Sequence, residues 1–431
     1  MNIYNLSLSE SINALQNGTV EVEDFINSIC DRIDRKESLI HSLIPEIGRR
    51  QRLLREARDL KEKYPDKNKR PILFGIPIGV KDLFRVDGFP TQAGSKLPIN
   101  LFEGQESSVV TTLKNAGALI LGKTVTTEFA YFEPGPTCNP HNITHTPGGS
   151  SSGSAAAVAC GFTPLALGTQ TIGSITRPAS FCGVYGYKPS FQRISTNGVI
   201  PFSVSADHIG CFTQDLQSIE IAASILCSHW NPSTKISHKK PVIGIAVGNY
   251  LEQANNEVLS LFNEKTQQLE QLGFKIVKVD TFGDIESINN AHKSMIAADF
   301  SKVHEKWFEN SGGLYRENTK KLILEGRIIT KKAYQNALEG REMLRTQLEV
   351  IKSINKIDVW LSPSSCSAAT EGLGSTGSPL MNLPWTYAGL PTISVPALKT
   401  SNHLPVGLQF VGSFNQDEDL IAKLKIIVPF L

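Results

Sequence analysis

The run Pro147-Gly148-Gly149-Ser150-Ser151-Ser152-Gly153-Ser154-Ala155-Ala156-Ala157-Val158-Ala159, continued by Leu167-Gly168-Thr169-Gln170-Thr171-Ile172-Gly173-Ser174-Ile175-Thr176-Arg177-Pro178, decides how this chain is read. Nearly every side chain in the first segment is tiny. Such residues let backbone approach backbone or a substrate closely, and several hydroxyls gather where a loop enters a small-residue helix over about Ser154 to Cys160. A stretch so poor in packing side chains needs a chemical reason.

Three reasons compete. Gly149-Ser150-Ser151-Ser152-Gly153 matches the nucleophile elbow G-x-S-x-G with Ser151 as nucleophile, but that motif needs a strand immediately before it. What precedes is Asn139-Pro140-His141-Asn142-Ile143-Thr144-His145-Thr146-Pro147, a turn-and-loop sequence. A backbone cradle for phosphate is the second, yet neither G-x-x-x-x-G-K-[ST] nor the G-x-G-x-x-G order occurs around Ser150. The third rests on the rest of the chain.

Upstream, Ile76-Pro77-Ile78-Gly79-Val80-Lys81-Asp82 reads as a short strand, and Ala118-Leu119-Ile120-Leu121-Gly122-Lys123 as a second one behind a helix carrying Val109, Val110 and Leu113. Downstream, Val242 to Val247, a helix holding Val258, Leu261, Phe262 and Leu269, and Phe274 to Val279 form a βαβ unit. Helical, charged sequence runs from about Asp284 to Lys352, and strands return at Val359 to Pro363, Thr392 to Leu398 and Pro405 to Val411. This alternation indicates an α/β layered core.

Before it, Ser7 and Glu10 form a capping-box pattern that opens a helix closed by Gly18, and Val22, Phe25, Ile26, Ile29 and Ile33 repeat at helical spacing. A basic helix from about Ile47 to Tyr64 interleaves its cations with Glu56, Asp59 and Glu62, which reads as a solvated face in preference to a phosphate grip. No linker long enough to divide domains appears, so residues 1–431 are expected to form one domain. Within it, 1–70 are N-terminal helices, 71–235 the core, 236–355 the βαβ unit with peripheral helices, and 356–431 the completing strands.

Composition excludes whole classes. The 43 Lys and Arg nearly balance 41 Asp and Glu, so no chain-wide field drives binding to nucleic acid or anionic lipid. The 7 cysteines are odd in number and never paired as C-x-x-C, which fits reduced thiols and a cytoplasmic protein better than a disulfide framework or zinc ribbon. The N-terminus lacks the basic and apolar regions of a secretory signal, and the apolar region from Ala155 to Gly168 is too short and interrupted to span a membrane.

Taken together, Gly79-Val80-Lys81-Asp82, the Gly148 to Ala159 run, and Thr169 to Pro178 continuing into Phe181-Cys182-Gly183-Val184-Tyr185-Gly186-Tyr187-Lys188-Pro189-Ser190 resemble the pattern of the amidase signature family. Ser150 and Ser174 stand 24 positions apart, as the two catalytic serines of that family do. The likeness extends over Leu121-Gly122-Lys123-Thr124, Asp207-His208-Ile209-Gly210, Ala388-Gly389-Leu390-Pro391 and Gly407-Leu408-Gln409, and so covers most of the chain.

The resemblance implies a single-domain α/β/α fold with a central mixed β-sheet flanked by helices. It makes Ser174 the nucleophile, Ser150 a bridging serine after a cis peptide bond, and Lys81 the base, with the N–H groups of Thr171, Ile172, Gly173 and Ser174 as oxyanion hole. Gly149 and Ser151 are expected beside the substrate. No metal or cofactor is implied. The chemistry is coherent: a serine hydroxyl attacks only once its proton is taken, and a lysine can take it if burial after an apolar strand keeps it neutral. Singly, each of these residues is more often a surface lysine or a turn serine; order and spacing carry the assignment.

Gln170 and Ile172 depart from the Asp and Gly of many relatives, and Ser152 replaces a Gly. Arg177, three positions after the nucleophile, has two open uses: a bidentate clamp on a substrate carboxylate, or an internal salt bridge bracing the loop. Cys138, His141 and His145 supply only three ligands for a metal and read as loop residues, His208 as a hydrogen-bonded structural histidine, and Cys182 as a packing residue. Little chain follows Val411, so terminal helices are not expected.

Three functions follow for testing. The first is a free-standing amidohydrolase acting on a small, acidic amide; the second is the amidase-like subunit of a transfer-RNA-dependent amidotransferase, which needs partner subunits; the third is a non-catalytic binding protein that kept the fold. Nucleic acid and membrane are not expected partners, and a homodimer is one allowed state.

Overall fold

The computed structural model describes residues 3–232 and 239–431. Helices α1 (Leu8–Asn17), α2 (Val22–Ile40) and α3 (Arg49–Lys63) open the chain. At the first, the Ser7 hydroxyl accepts from the Glu10 N–H while the Glu10 carboxylate accepts from the Ser7 N–H, and Gly18 ends the helix at φ 66°. Several cations of α3 are paired: Arg50 with Asp31 and Asp34, Arg52 with Glu46 and Glu56, Lys61 with Glu21 and Glu23.

The core then runs β1 (Pro77–Lys81), α4 (Ser108–Asn115), β2 (Leu119–Thr124), α5 (Ser152–Ala159), β3 (Leu165–Gln170), α6 (Thr176–Cys182), β4 (Tyr185–Lys188), β5 (His208–Thr213) and α7 (Leu216–Leu226). The βαβ unit is β6 (Ile243–Val247), α8 (Asn256–Gln271) and β7 (Ile276–Asp280). The charged helical region is three helices, α9 (Ile285–Ser311), α10 (Glu317–Arg327) and α11 (Lys331–Ile354). The chain closes with β8 (Val359–Pro363), α12 (Leu383–Tyr387), β9 (Thr392–Lys399), β10 (Pro405–Val411) and α13 (Asp417–Ile427).

Among the described residues the strands form one 10-stranded sheet in the order β2-β1-β3-β5-β4-β9-β10-β8-β6-β7. It is mixed: β2, β1 and β3 are mutually parallel, as are β7, β6 and β8, and the strands between them pair antiparallel. The expected mixed sheet flanked by helices is therefore the observed architecture. One apolar cluster reaches from Leu8 in α1 to Ile427 in α13. The final helix corrects the expectation that none follows Val411: Asp417 at its start accepts from the Tyr187 hydroxyl at 2.7 Å and the Ser190 N–H at 2.9 Å, tying it to β4.

Register positions the chemistry. Val80 lies opposite Leu167, so the parallel strands β1 and β3 end on the same side of the sheet, with Lys81 closing one and the 171–175 loop leaving the other. Carboxyl ends of parallel strands are where open α/β sheets place their sites. Helix α5 can approach the backbone at Ser42 and Val125 because Gly153 has no side chain: a Cβ there would stand 2.1 Å from the Ser42 carbonyl oxygen and 2.4 Å from the Val125 nitrogen.

Candidate active site

Lys81 is fully buried, and its Nζ reaches Ser150 Oγ at 2.8 Å, Ser151 Oγ at 3.0 Å and Thr169 Oγ1 at 2.7 Å. Among the described residues no carboxylate pairs with it. Burial accordingly holds its pKa well below the ordinary lysine value, against a smaller opposing pull from Asp207. The Ser151 hydroxyl donates to the Thr169 carbonyl at 3.1 Å, so toward Lys81 it can only accept. Ser151 thus braces the lysine and is not among the pocket-lining residues.

The peptide bond between Gly149 and Ser150 is cis. Ser150 and Ser174 line one pocket together with Tyr131, Phe132, Thr171, Ile172, Gly173 and Arg177. The structure thereby brings together Lys81, Ser150 and Ser174, the three residues singled out from sequence. Across the 171–174 loop, the backbone N–H groups donate to no protein acceptor among the described residues, which leaves four donors free at the pocket.

That loop is fixed from four sides. The Gln170 side-chain oxygen accepts from the Ile175 N–H at 2.7 Å and the Thr176 N–H at 3.0 Å, while its amide nitrogen donates to Thr386 Oγ1 at 2.9 Å. Thr386 in turn donates to the Ile172 carbonyl at 2.7 Å. Thr171 donates its hydroxyl to Asp207 at 2.6 Å, and His292 Nε2 donates to the Thr171 carbonyl at 3.0 Å. Gln170 therefore serves the loop both as acceptor and as donor, the donor being satisfied by Thr386. Asp207 also accepts from the N–H groups of Phe202 and Ser203, and burial lifts its pKa to about 6.

Arg177 is buried in the same wall, but its partners are not a salt bridge. Its guanidinium donates to the carbonyls of Gly149 at 2.6 Å and Gly377 at 2.8 Å and to Thr376 Oγ1 at 3.1 Å. It braces the Gly149 peptide, as the bracing alternative has it, with carbonyls in place of a carboxylate. Its Nε is buried without an acceptor among the described residues, and burial lowers its pKa to about 9. A cation so placed, without a counter-charge, favours an anionic group in the pocket.

The remaining candidates fall into supporting roles. His208 Nδ1 bonds the Ala206 carbonyl at 2.7 Å, His141 Nε2 bonds the Cys182 carbonyl at 2.9 Å, and Cys182 is fully buried with its thiol pKa raised by burial. Sequence reasoning missed Thr169, Thr386 and His292 and gave Asp207 no role. Thr169 and Asp207 each left a signal, within the Thr169 to Pro178 and Asp207-His208-Ile209-Gly210 segments; Thr386 and His292 come from α12 and α9, far along the chain.

The amidase family model matches residues 24–421. One relative is a component of the glutamyl-tRNA(Gln) amidotransferase of Halothermothrix orenii, 31% identical over 96% of this chain and 94% of its own. The corresponding component from Fusobacterium nucleatum is 27% identical over 98% and 96%. A crystal structure of an amidase superposes with a TM-score of 0.88 at 30% identity, covering 99% of this chain and 100% of that one.

Proposed function

The chain belongs to the amidase family, and from that premise we propose that it is an amidohydrolase cleaving a carboxamide C–N bond through an acyl-serine intermediate. The observation that carries this is the buried, carboxylate-free Lys81 set against three hydroxyls. A neutral lysine donates to Ser151 and Thr169 and turns its lone pair to the Ser150 hydroxyl.

Lys81 takes the Ser150 proton as Ser150 takes that of Ser174, and Ser174 Oγ bonds the carbonyl carbon. The N–H groups of Thr171, Ile172, Gly173 and Ser174 hold the oxyanion, where each donor is worth a few kcal/mol in the transition state. Collapse breaks the C–N bond, the leaving nitrogen receives a proton through Ser150, and water then attacks the acyl-serine by the same relay.

The substrate we propose is a small amide bearing a carboxylate, because Arg177 sets a buried cation in the pocket wall with no carboxylate partner among the described residues. Ammonia release by the purified chain from glutamine, dicarboxylic half-amides and neutral amides tests both parts, with Ser174→Ala as control. Release that survives Ser174→Ala overturns the mechanism, and equal rates on acidic and neutral amides overturn the Arg177 preference.

The curated relatives favour a second reading, in which this chain is the amidase-like subunit of an amidotransferase. It predicts a folded lone chain that is silent across the panel and active on glutamine only when partner subunits are added.

A further inference from the structure

The pocket holding Ser150 and Ser174 has a volume of about 10 Å³, room for little more than one water. Behind one of its walls lies a second cavity of about 360 Å³. One side of that cavity is aliphatic, built from Leu83, Ile194, Val199, Ile200, Val204 and Ile209, and it opens to solvent past the exposed side chains of Gln192, Ser195 and Asn197. Ala130 and Phe202 line both spaces.

Phe202 is the larger part of that partition, and it is held shut. Its ring packs in a triangle with Tyr131, at 5.8 Å between centroids, and Phe300 of α9, at 4.6 Å, which are 6.4 Å from each other. Its N–H donates to Asp207 at 2.8 Å, the same carboxylate that accepts from Thr171 at 2.6 Å on the catalytic side. Ala130 and the Phe202 ring thus share the wall between the two cavities, and the Phe202 backbone is tied through Asp207 to the loop that carries the proposed oxyanion donors.

We propose that Phe202 sets the length of acyl group the site accepts, and that the cavity behind it is a tail site that longer acyl chains enter once the ring is removed. The inference rests on the acyl-serine reading above. The catalytic pocket has no room for an alkyl tail, while a chain crossing the position of the Phe202 ring can follow the aliphatic side of the larger cavity.

Ethyl and octyl phosphonofluoridates, which phosphonylate an activated serine with loss of fluoride, test it without knowledge of the natural amide. Labelling rates at Ser174 are followed by intact mass, with Ser174→Ala as blank. The wild-type chain is expected to favour the ethyl probe. Phe202→Ala is expected to raise the octyl-to-ethyl ratio by about tenfold or more, the discrimination an apolar pocket gives for a methylene or two, and Phe202→Leu to raise it less while retaining more packing. An unchanged ratio in folded Phe202→Ala or Phe202→Leu protein, or a wild-type chain that already prefers octyl, would overturn the gate while leaving the serine assignment intact. Ethyl labelling that is absent, or that persists in Ser174→Ala, would instead remove the reading on which the gate rests.

Discussion

Lys81 Nζ lies 2.8 Å from Ser150 Oγ at the end of a fully buried strand, and among the described residues no carboxylate stands within ion-pair distance of that amine. A lysine in this setting is useful only when neutral, and burial displaces its pKa well below 10.5. The neutral fraction grows with pH, so kcat/KM should climb through that lowered pKa and reach its plateau below the range where an exposed lysine titrates. Lys81→Met should cut kcat/KM by about 10²–10⁴, the usual contribution of a positioned base, and abolish the ascending limb. A pH profile with the same limb in the variant would assign it to another group.

Asp207 offers a sharper test of positioning. Its carboxylate accepts from Thr171 Oγ1 and from two backbone N–H groups, so Asp207→Ala leaves all three donors without their acceptor. Thr171, the first residue of the proposed oxyanion loop, loses its anchor. The expected result is a fall in kcat of roughly 10- to 100-fold, the scale of a misplaced reacting geometry, with KM little changed. Because the Asp207 charge raises the Lys81 pKa, the ascending pH limb should also move to lower pH. A merely structural Asp207 would lower the melting temperature without moving that limb.

The sequence made much of this legible, for physical reasons that also explain the gaps. Strands β8 and β10 and the Ser7 capping box emerge because turn residues, caps and apolar runs bracket them cleanly. Strand β3 was hidden: it is buried along its whole length and follows a helix of small apolar residues, so the pattern from Ala155 to Gly168 shows no change of period. The catalytic serines and lysine are recognisable because their order and spacing lie along the chain. His292 and Thr386 act on the 170–172 loop from helices more than a hundred residues away, and no local pattern marks such contacts. Arg177 was half legible: its place near the site could be read, but its carbonyl partners depend on Gly377 and Thr376 folding back over it.

His292 links the site to acid stability. Its Nε2–H is committed to the Thr171 carbonyl, and its buried Nδ1 faces no partner, so protonation would bury a second, unsatisfied N–H. Burial holds its pKa at about 4, against 6.5 for the free side chain. A base whose folded pKa is depressed lends stability that is fully present above the unfolded value and is lost as pH falls toward the folded one. His292 should therefore withdraw about 3 kcal/mol between pH 6.5 and 4, at about 1.4 kcal/mol per pH unit. In His292→Gln, whose amide can still donate to Thr171, chemical denaturation should show a shallower loss of stability over that window. The slope should not vanish, since buried His304, with a pKa of about 3, and His208 act in the same direction. An unchanged slope would mean that His292 titrates freely in the folded chain.

Gly173 is where sequence, packing and the proposed chemistry meet most tightly. A Cβ there would stand 2.3 Å from Asn382 Oδ1 and 2.9 Å from Pro379 Cβ, a separation no relaxed side chain tolerates. Asn382 cannot easily yield, because its Nδ2 donates to the Ser364 carbonyl at 2.8 Å and to Gln409 Oε1 at 3.0 Å. Gly173→Ala should therefore push the 171–174 backbone out of line with a developing oxyanion and cost roughly 10²–10³ in kcat, as the loss of one oxyanion donor does. If steric contact is the cause, the two positions must couple. Asn382→Ala alone removes two buried hydrogen bonds and lowers stability by about 1–3 kcal/mol, but in the Gly173→Ala background it also clears the space the new methyl needs. The double variant should then turn over faster than Gly173→Ala by itself, a coupling opposite in sign to simple accumulation of damage. Strict additivity of the two losses in kcat would show that the methyl is resisted by Pro379 and not by Asn382.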